Sequence, residues 1–413
     1  MLYRFCSYIE KVFDFSSHLD TLRDSRIDGR IPTKAIWGTV FLLFLLRLRS
    51  LNATETQGCV LKRFEKIIGK EKPSADTNGR VLALMDPVQL RYYIKIISIQ
   101  LKRNKVLTEN YPYIFAVIDG HEFFSSRKIH CKSCCVRNIT VKGEKVKEYY
   151  HRGVVLSIIC QDLAIPLDVE MIKPGEGELT AARKLLERVF TKYPRYFDVI
   201  VGDALYANAP FFNFCHLHNK HVIAVLKNEE RQLVKDALGI SNSSPATVWE
   251  EKDKIIEYWD KDGFSHEDFN TPLRILHTIE TKKETKKQKK LNMKSKEIVE
   301  PEINSWIWVS TIPISMVPTQ VFWMFAHKRW DIENKVFHQL ATYWNIDHSF
   351  KHDPKAILNF ILTAFISFIL IQSFYFRNLK IQVRRKLSLI AFALELLMSL
   401  ADKGFSAPYL FSS

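Results

Sequence analysis

The stretches YIFAVIDG (113–120) and FDVIVGDALYA (197–207) decide the fold class of this chain. Each is a short run of apolar, β-branched and aromatic residues, followed by Asp119 in the first stretch and by Asp203 in the second. Such runs predict buried strands. Because sites in open α/β sheets are built at the carboxyl ends of the strands, both aspartates are candidate site residues.

The sequence around these two stretches predicts further strands and amphipathic helices. Apolar and polar residues recur with the helical period in ELTAARKLLERVFTKY, and a further helix is expected near 209–218. The succession β-β-β-α-β-α-β predicts a mixed sheet with flanking helices, hence the α/β class. The additional predicted strands are GVVLSIIC (153–160), IPLDVEMI (165–172) and HVIAVLK (221–227).

A length of 413 residues predicts two or three structural units, at about 150 residues each. The N-terminal part is predicted to be helical and to bind DNA or to cap the core. The sheet is predicted to form in two parts, with a β-rich and lysine-rich insertion between them. The predicted segments are 1–111 (helical), 112–228 (first part of the sheet), 229–304 (insertion), 305–376 (second part) and 377–413 (C-terminal helix and tail).

The charge balance predicts a polyanionic partner. Sixty Lys and Arg residues against 45 Asp and Glu residues leave a net charge of +15, which attracts nucleic acid or an anionic membrane surface. Eight lysines stand in KKETKKQKKLNMKSK (282–296). This run is interpreted either as a solvated loop or as a loop that lies along phosphates.

The uncharged stretch at 356–376 is long enough to cross a membrane. Asn359, Thr363 and Ser367 recur along it every four residues, which favours a helix buried in a large domain. Glu10 and Asp14 interrupt the region where a signal peptide would be apolar, and seven irregularly spaced cysteines do not form a disulfide framework. A cytoplasmic protein without a membrane span is therefore expected.

A third acidic residue, Glu333, lies on a long predicted helix at 319–344. Lys328, Arg329 and Lys335 are close to it in sequence, and Arg329 shares its helix face because four residues separate the two. Carboxylates suit Mg²⁺, and two such ions about 4 Å apart support in-line phosphoryl displacement.

The motifs VIDGHEFF, VGDALYA and HKRWDIENKVFHQL, in this order, resemble those of the DDE transposases of bacterial and archaeal insertion sequences. The resemblance is to the cut-and-paste group, whose RNase H-like domain is interrupted by a β-rich insertion. Spacing agrees: 84 residues separate Asp119 from Asp203, and 130 separate Asp203 from Glu333. Ala326 and Leu340 depart from the family's usual Tyr and Lys, so Lys335 or Lys351 is expected to supply phosphate contacts.

This resemblance implies an RNase H-like mixed sheet with flanking helices, a β-rich insertion before the Glu333 helix and an N-terminal helical domain. It implies that Asp119, Asp203 and Glu333 hold two Mg²⁺ or Mn²⁺ ions. It also implies cleavage and strand transfer at the ends of an insertion sequence, by a homodimer on double-stranded DNA at the nucleoid. Two alternatives are kept: a non-catalytic, domesticated relative that only binds DNA, and a membrane protein.

The cluster HCKSCC has two interpretations. Thiolates and imidazole suit tetrahedral Zn²⁺, so His130, Cys131, Cys134 and Cys135 are candidate zinc ligands. A second ligand pair at zinc-finger spacing is missing downstream, which favours a reduced thiol cluster instead. The tryptophans around the insertion are interpreted as core residues or, alternatively, as a stacking platform for an unpaired base; they are Trp249, Trp259, Trp306 and Trp308.

Overall fold

The computed structural model describes residues 1–56, 72–107, 113–160, 162–228, 231–283 and 301–401. From position 284 onward, the lysine-rich run lies outside the described residues. The chain divides into two compact units. Unit 1 comprises Met1–Ile114, Asp119–Tyr196 and Asp331–Ser413, and unit 2 comprises Phe115–Ile118 and Phe197–Trp330. This division differs from the five segments predicted above, which remain a prediction.

Unit 1 begins with helices. In α6 the Asp86 side chain accepts the N–H of Val88 at 3.0 Å and Pro87 occupies the first turn, a combination that favours helix initiation. Its apolar stripe, which includes Leu90 and Ile94, is buried. The helices are α1 (Leu2–Phe13), α2 (Phe15–Thr21), α3 (Thr33–Leu45), α4 (Leu51–Thr56), α5 (Ala75–Leu84) and α6 (Pro87–Arg103).

The strands of unit 1 surround β3 (Glu144–Ile159), which pairs antiparallel with β2 (Cys135–Val141) and β4 (Ala164–Met171). It also borders β1 (Phe115–Ser126), whose residues from Asp119 onward belong to this unit. The sequence predicted a strand only over 153–160 and missed β2 and the first half of β3, because the paired residues of that hairpin, apart from Cys135, are exposed or half-buried.

A buried ion-pair network joins the helices of unit 1 to its strands. Asp168 on β4 accepts hydrogen bonds from Arg91 of α6 at 2.8 Å and from Arg188 at 2.6 Å. Arg188 lies on α7 (Glu178–Lys192), the helix predicted at 178–193. Because Asp168 is 2% exposed, its charge depends on both arginines for compensation.

The long apolar helix lies in the core of unit 1 as α13 (Pro354–Asn378), and 94% of its most apolar window is buried. Two residues of its polar stripe, Asn359 and Thr363, are hydrogen-bonded inside the protein. The Asn359 amide donates to the carbonyls of Leu82 and Met85, and the Trp37 indole donates to the Thr363 hydroxyl at 2.9 Å. These partners explain why an uncharged helix carries polar side chains at positions 359 and 363.

Unit 2 contains the mixed sheet. The strand order is β1-β5-β6-β10-β9-β8-β7, with parallel pairing from β1 through β6 and antiparallel pairing beyond it. The antiparallel strands β7 to β9 form the predicted β-rich insertion. Their bounds are β5 (Val199–Gly202), β6 (His221–Val225), β7 (Thr247–Glu251), β8 (Lys254–His266), β9 (Phe269–Lys282) and β10 (Ile303–Ser310).

Helices flank this sheet, so the predicted α/β class with a mixed sheet is confirmed. A 3₁₀ turn (Ala204–Tyr206) follows β5. The helices of unit 2 are α8 (Ala209–Leu217), α9 (Gln232–Ser243) and α10 (Thr319–His327).

The single helix predicted at 319–344 is subdivided in the structure. After α10 come α11 (Arg329–Asp331), a π-helical stretch (Ile332–Phe337) and α12 (His338–Trp344). The N–H of His338 donates to the carbonyl of Glu333, five residues earlier, which is the π-helical pattern. The remaining helices are α14 (Ile381–Arg384) and α15 (Leu389–Ala401).

Candidate active site

Asp203 is held in a capped turn at the end of β5. Its Oδ1 accepts the N–H of Leu205 at 2.9 Å, while Tyr206, three residues on, is fully buried. A Cβ on Gly202 would lie 2.7 Å from the Tyr206 ring, closer than real Cβ contacts come. The local structure therefore explains the sequence Gly-Asp-Ala-Leu-Tyr. The glycine leaves room for the tyrosine ring, and the aspartate caps the turn.

Asp119 occupies the matching position on β1. Within unit 2, β1 pairs in parallel with β5, and Val117 is opposite Val201. Asp119 and Asp203 each follow these paired residues by two positions. Asp119 is half-buried, and its Oδ1 accepts the N–H of Gly120 at 2.9 Å.

Glu333 lies in the π-helical stretch, where it is half-buried beside buried Ile332 and Val336. Such stretches arise when one extra residue is accommodated in a helix, and they are frequent at functional sites because they redirect a side chain. Lys335, two residues later, forms an ion pair with Asp331 at 2.9 Å.

Inside unit 1, an aromatic contact joins the strand of Asp119 to the helix of Glu333. His121 follows Asp119 by two residues and so shares its strand face. Its imidazole stacks on the ring of Phe337, four residues after Glu333, with ring centroids 4.4 Å apart. His121 Nε2 also lies 2.9 Å from Asp347 Oδ1. The neighbouring Glu122 forms an ion pair with Arg137 instead.

Two of the predicted phosphate-binding residues, Lys328 directly after α10 and Arg329 at the start of α11, pack against aromatic rings. The Lys328 ammonium lies 4.7 Å from the centre of the Phe325 ring, and the Arg329 guanidinium lies 4.3 Å from that of Trp330. Arg329 is 7% exposed. These contacts hold the charged groups in fixed positions, and their role toward DNA remains a prediction.

A buried carboxylate in unit 2 was not predicted from the sequence. Glu280 on β9 is 1% exposed and accepts hydrogen bonds from Trp323 at 2.7 Å and Lys254 at 2.7 Å, and it lies 2.6 Å from His327 Nε2. Burial raises the pKa of Glu280, but the hydrogen bonds outweigh it and lower the pKa to about 2. The network fixes the end of α10, directly before Lys328.

The tryptophans of unit 2 are mainly packing residues. Trp308 is 1% exposed, and Trp259 stacks on His277 while its indole N–H donates to the Ser244 carbonyl. Trp249 meets Trp323 edge to face. Trp306 lies parallel to Trp308, with ring centroids 6.0 Å apart. These contacts favour the core interpretation over a base-stacking platform.

The structure separates the four candidate zinc ligands. Cys131 and Cys134 lie together, with their sulfurs 3.8 Å apart. His130 stacks on Tyr149 instead, and the Cys135 thiol points to the Ile172 carbonyl, so neither joins them. The neighbours of Cys131 and Cys134 are two histidines distant in sequence, His151 and His352.

The chain matches a known protein family. A model of the transposase DDE domain family matches residues 123–370, which is more than half of the 413 residues. The matched region includes Asp203 and Glu333 and begins four residues after Asp119. A search of curated proteins finds no match to this chain.

Proposed function

Because this chain belongs to the family of the transposase DDE domain, we propose that it cleaves the ends of an insertion sequence and joins the freed strands to target DNA. The family implies action on DNA and the use of divalent metal ions. The finer assignment is ours: Asp119, Asp203 and Glu333 are the catalytic carboxylates, and the ions are two Mg²⁺ or Mn²⁺.

The donor set fits such ions. All three side chains are half-buried carboxylates, which are the oxygen ligands that Mg²⁺ prefers. Asp119 and Asp203 follow paired residues of adjacent parallel strands by the same number of positions. The contact of His121 with Phe337 connects the Asp119 face of β1 to the Glu333 helix. The equal offset of the aspartates is the observation that carries the proposal.

The residues of the chain orient the reacting groups. The hydrogen bonds of Leu205 to Asp203 and of Gly120 to Asp119 fix the rotation of each carboxylate before DNA binds. Bound divalent ions would supply Lewis-acid activation of the phosphate and of the attacking hydroxyl. Holding DNA and carboxylates in one geometry removes the entropic cost of bringing them together.

We assign DNA contacts to Lys328, Arg329 and Lys335. The net charge of +15 supports binding along the phosphate backbone, with an affinity that falls as salt rises. Hydrolysis of the element end would free a 3′-hydroxyl, which then attacks a second phosphodiester. By analogy with the family group named above, we expect a hairpin intermediate and a homodimer that holds two ends.

The test is strand cleavage of DNA fragments that carry the sequences flanking the gene. Asp119→Asn, Asp203→Asn and Glu333→Gln are each expected to abolish divalent-metal-dependent cleavage while DNA binding persists. Glu122→Gln is the matched control, because Glu122 is also a carboxylate on β1 but pairs with Arg137. Its cleavage rate should equal that of the wild type.

Two outcomes would contradict the proposal. Cleavage that survives all three substitutions would place the chemistry elsewhere. Wild-type protein that binds the flanking DNA but neither cleaves it nor binds Mn²⁺ would identify a non-catalytic, DNA-binding relative.

A further inference from the structure

Two cysteines and two histidines of unit 1 converge on one point. Cys131 Sγ lies 3.8 Å from Cys134 Sγ and 3.5 Å from His151 Nε2. Cys134 Sγ lies 3.3 Å from the Nε2 atoms of both His151 and His352. The four ligand atoms are all within 4.8 Å of one another.

These separations agree with a tetrahedral metal centre. With Zn–S near 2.3 Å and Zn–N near 2.0–2.1 Å, tetrahedral angles separate two sulfurs by about 3.8 Å and a sulfur from a nitrogen by about 3.5 Å. The sulfurs of Cys131 and Cys134 are 3.8 Å apart, and the distances from His151 Nε2 to both sulfurs and from His352 Nε2 to Cys134 Sγ are 3.3 to 3.5 Å. A disulfide would instead need about 2.05 Å between the sulfurs.

The local backbone supports metal-bound thiolates. The Cys134 N–H donates to the Cys131 carbonyl at 3.1 Å, which closes the Cys-x-x-Cys turn. The Cys131 N–H in turn points at Cys134 Sγ, at 3.3 Å. A hydrogen bond to sulfur of this kind orients a metal-ligating thiolate. Cys134 and His151 are 4% and 3% exposed and thus shielded from solvent, while Cys131 and His352 are half-buried.

We propose that Cys131, Cys134, His151 and His352 bind one Zn²⁺ ion as a structural site. Two thiolates and two imidazoles complete a tetrahedral coordination shell and leave no position for substrate, which is the mark of a structural rather than a catalytic zinc. The site differs from the set expected from the sequence, since His130 and Cys135 are replaced by His151 and His352.

The site joins three parts of unit 1. Cys131 and Cys134 precede β2, His151 lies on β3, and His352 lies in the segment between α12 and α13. The same segment carries Asp347, which contacts His121 two residues after Asp119. Zinc therefore fastens the chain that follows the Glu333 helix to the strands beside Asp119. This positioning role rests on the proposed function, whereas zinc binding does not.

The first experiment measures zinc in the full-length chain, purified under reducing conditions, by elemental analysis. We expect one zinc per chain in the wild type and a loss of most of it in Cys134→Ser and His352→Ala. The matched controls are Cys135→Ser and His130→Ala, which change the same residue types beside the site and should keep one zinc per chain.

A second measurement avoids dependence on variants that fold poorly. Wild-type protein grown with Co²⁺ should show the intense visible absorption of tetrahedral cobalt and a thiolate charge-transfer band. Three results would overturn the proposal. The wild-type protein could fold without zinc, the cobalt spectrum could be octahedral, or the control variants could lose zinc as fully as Cys134→Ser.

The positioning role has its own test. Removing zinc with a chelator of low Mg²⁺ affinity should lower the melting temperature by about 5 °C or more and reduce DNA cleavage, and added zinc should restore both. Asp119→Asn should keep its zinc while losing cleavage. An inactive wild type that nevertheless binds one zinc would refute the proposed catalysis and leave the zinc site intact; full cleavage without zinc would refute the positioning role.

Discussion

The imidazole of His121 stacks on the ring of Phe337, with ring centroids 4.4 Å apart and an interplanar angle of 21°. Both residues belong to unit 1, and each is on the same face of its element as a proposed catalytic carboxylate. Stacking limits how far the π-helical stretch can slide along β1. The contact therefore sets the position of Glu333 with respect to Asp119.

Replacing Phe337 by leucine should impair catalysis more than folding. Leucine keeps an apolar side chain at this 7% exposed position but loses the flat surface under His121. We expect cleavage to slow about tenfold or more, because a displacement of about 1 Å near reacting groups costs up to 100-fold. Single-turnover cleavage rates and melting temperatures measure the two effects.

The control for this prediction is Phe190→Leu on α7, since Phe190 is 6% exposed in the same unit. It should lower the melting temperature by a similar amount and leave the single-turnover rate unchanged. Equal losses of rate in both variants would mean that His121 and Phe337 contribute packing alone.

Gly202→Ala should disrupt the turn that holds Asp203. The new Cβ would lie 2.7 Å from the buried Tyr206 ring, so the ring or the strand must move. Overpacking of this kind costs about 1–3 kcal/mol, and the shift should also displace Asp203 and slow cleavage. Urea unfolding and cleavage assays test the two parts.

Gly239→Ala is the matched control in the same unit, because the added Cβ has free space there. Gly239 lies within α9, and a Cβ there meets nothing within 4 Å. Alanine is favoured over glycine in a helix by up to about 1 kcal/mol, so stability should rise slightly and cleavage should not change. A destabilised Gly239→Ala, or a Gly202→Ala with wild-type stability, would contradict the steric argument.

The two apolar runs were predictable because their signal is local, but the expectation that a strand ends at Asp119 was wrong, since β1 continues to Ser126. Asp119 and Asp203 each follow a short apolar run rich in β-branched residues, and such runs are typical of buried strands. The mixed sheet followed from the order of the predicted elements, and the insertion before Glu333 followed from the change in composition and from the long gap between Asp203 and Glu333. The π-helical stretch was not predictable, since its residues keep the apolar spacing of an ordinary helix and the extra residue appears only in the backbone hydrogen bonds.

Only part of the proposed zinc site could be predicted from local sequence patterns. Cys131 and Cys134 form a visible Cys-x-x-Cys, but their partners lie 17 and 218 residues from Cys134 in sequence. Only the packing of β3 and of the segment before α13 brings His151 and His352 to the sulfurs. Glu280 was missed for the same reason: its partner His327 is 47 residues away, and an acidic residue on a strand usually faces solvent.

Asn359→Leu should destabilise unit 1 although it makes α13 more apolar. The substitution removes the donor that hydrogen-bonds the carbonyls of Leu82 and Met85 inside the core. We expect a loss of about 2–4 kcal/mol in the free energy of unfolding. Asn52→Leu, at an exposed position of α4, is the matched control and should change stability by less than about 0.5 kcal/mol. Increased stability of Asn359→Leu in water would argue against a core helix.

Stability should depend on pH through Glu280. Its pKa falls from 4.5 to about 2 in the folded chain, so its charged form stabilises the fold at pH values above 4.5, and this contribution is lost as the pH falls toward 2. Glu280→Gln keeps the shape but removes the charge that faces Lys254 and His327. We expect it to cost about 3 kcal/mol at pH 7, and less as the pH is lowered from 4.5 toward 2. Urea unfolding of both proteins across this range measures the difference.

Glu302→Gln, which breaks the exposed ion pair with Lys282, should leave stability nearly unchanged at every pH, because solvent screens that pair. A difference between wild type and Glu280→Gln that stays constant down to pH 3 would show that the substitution acts through lost hydrogen bonds and not through the lost charge.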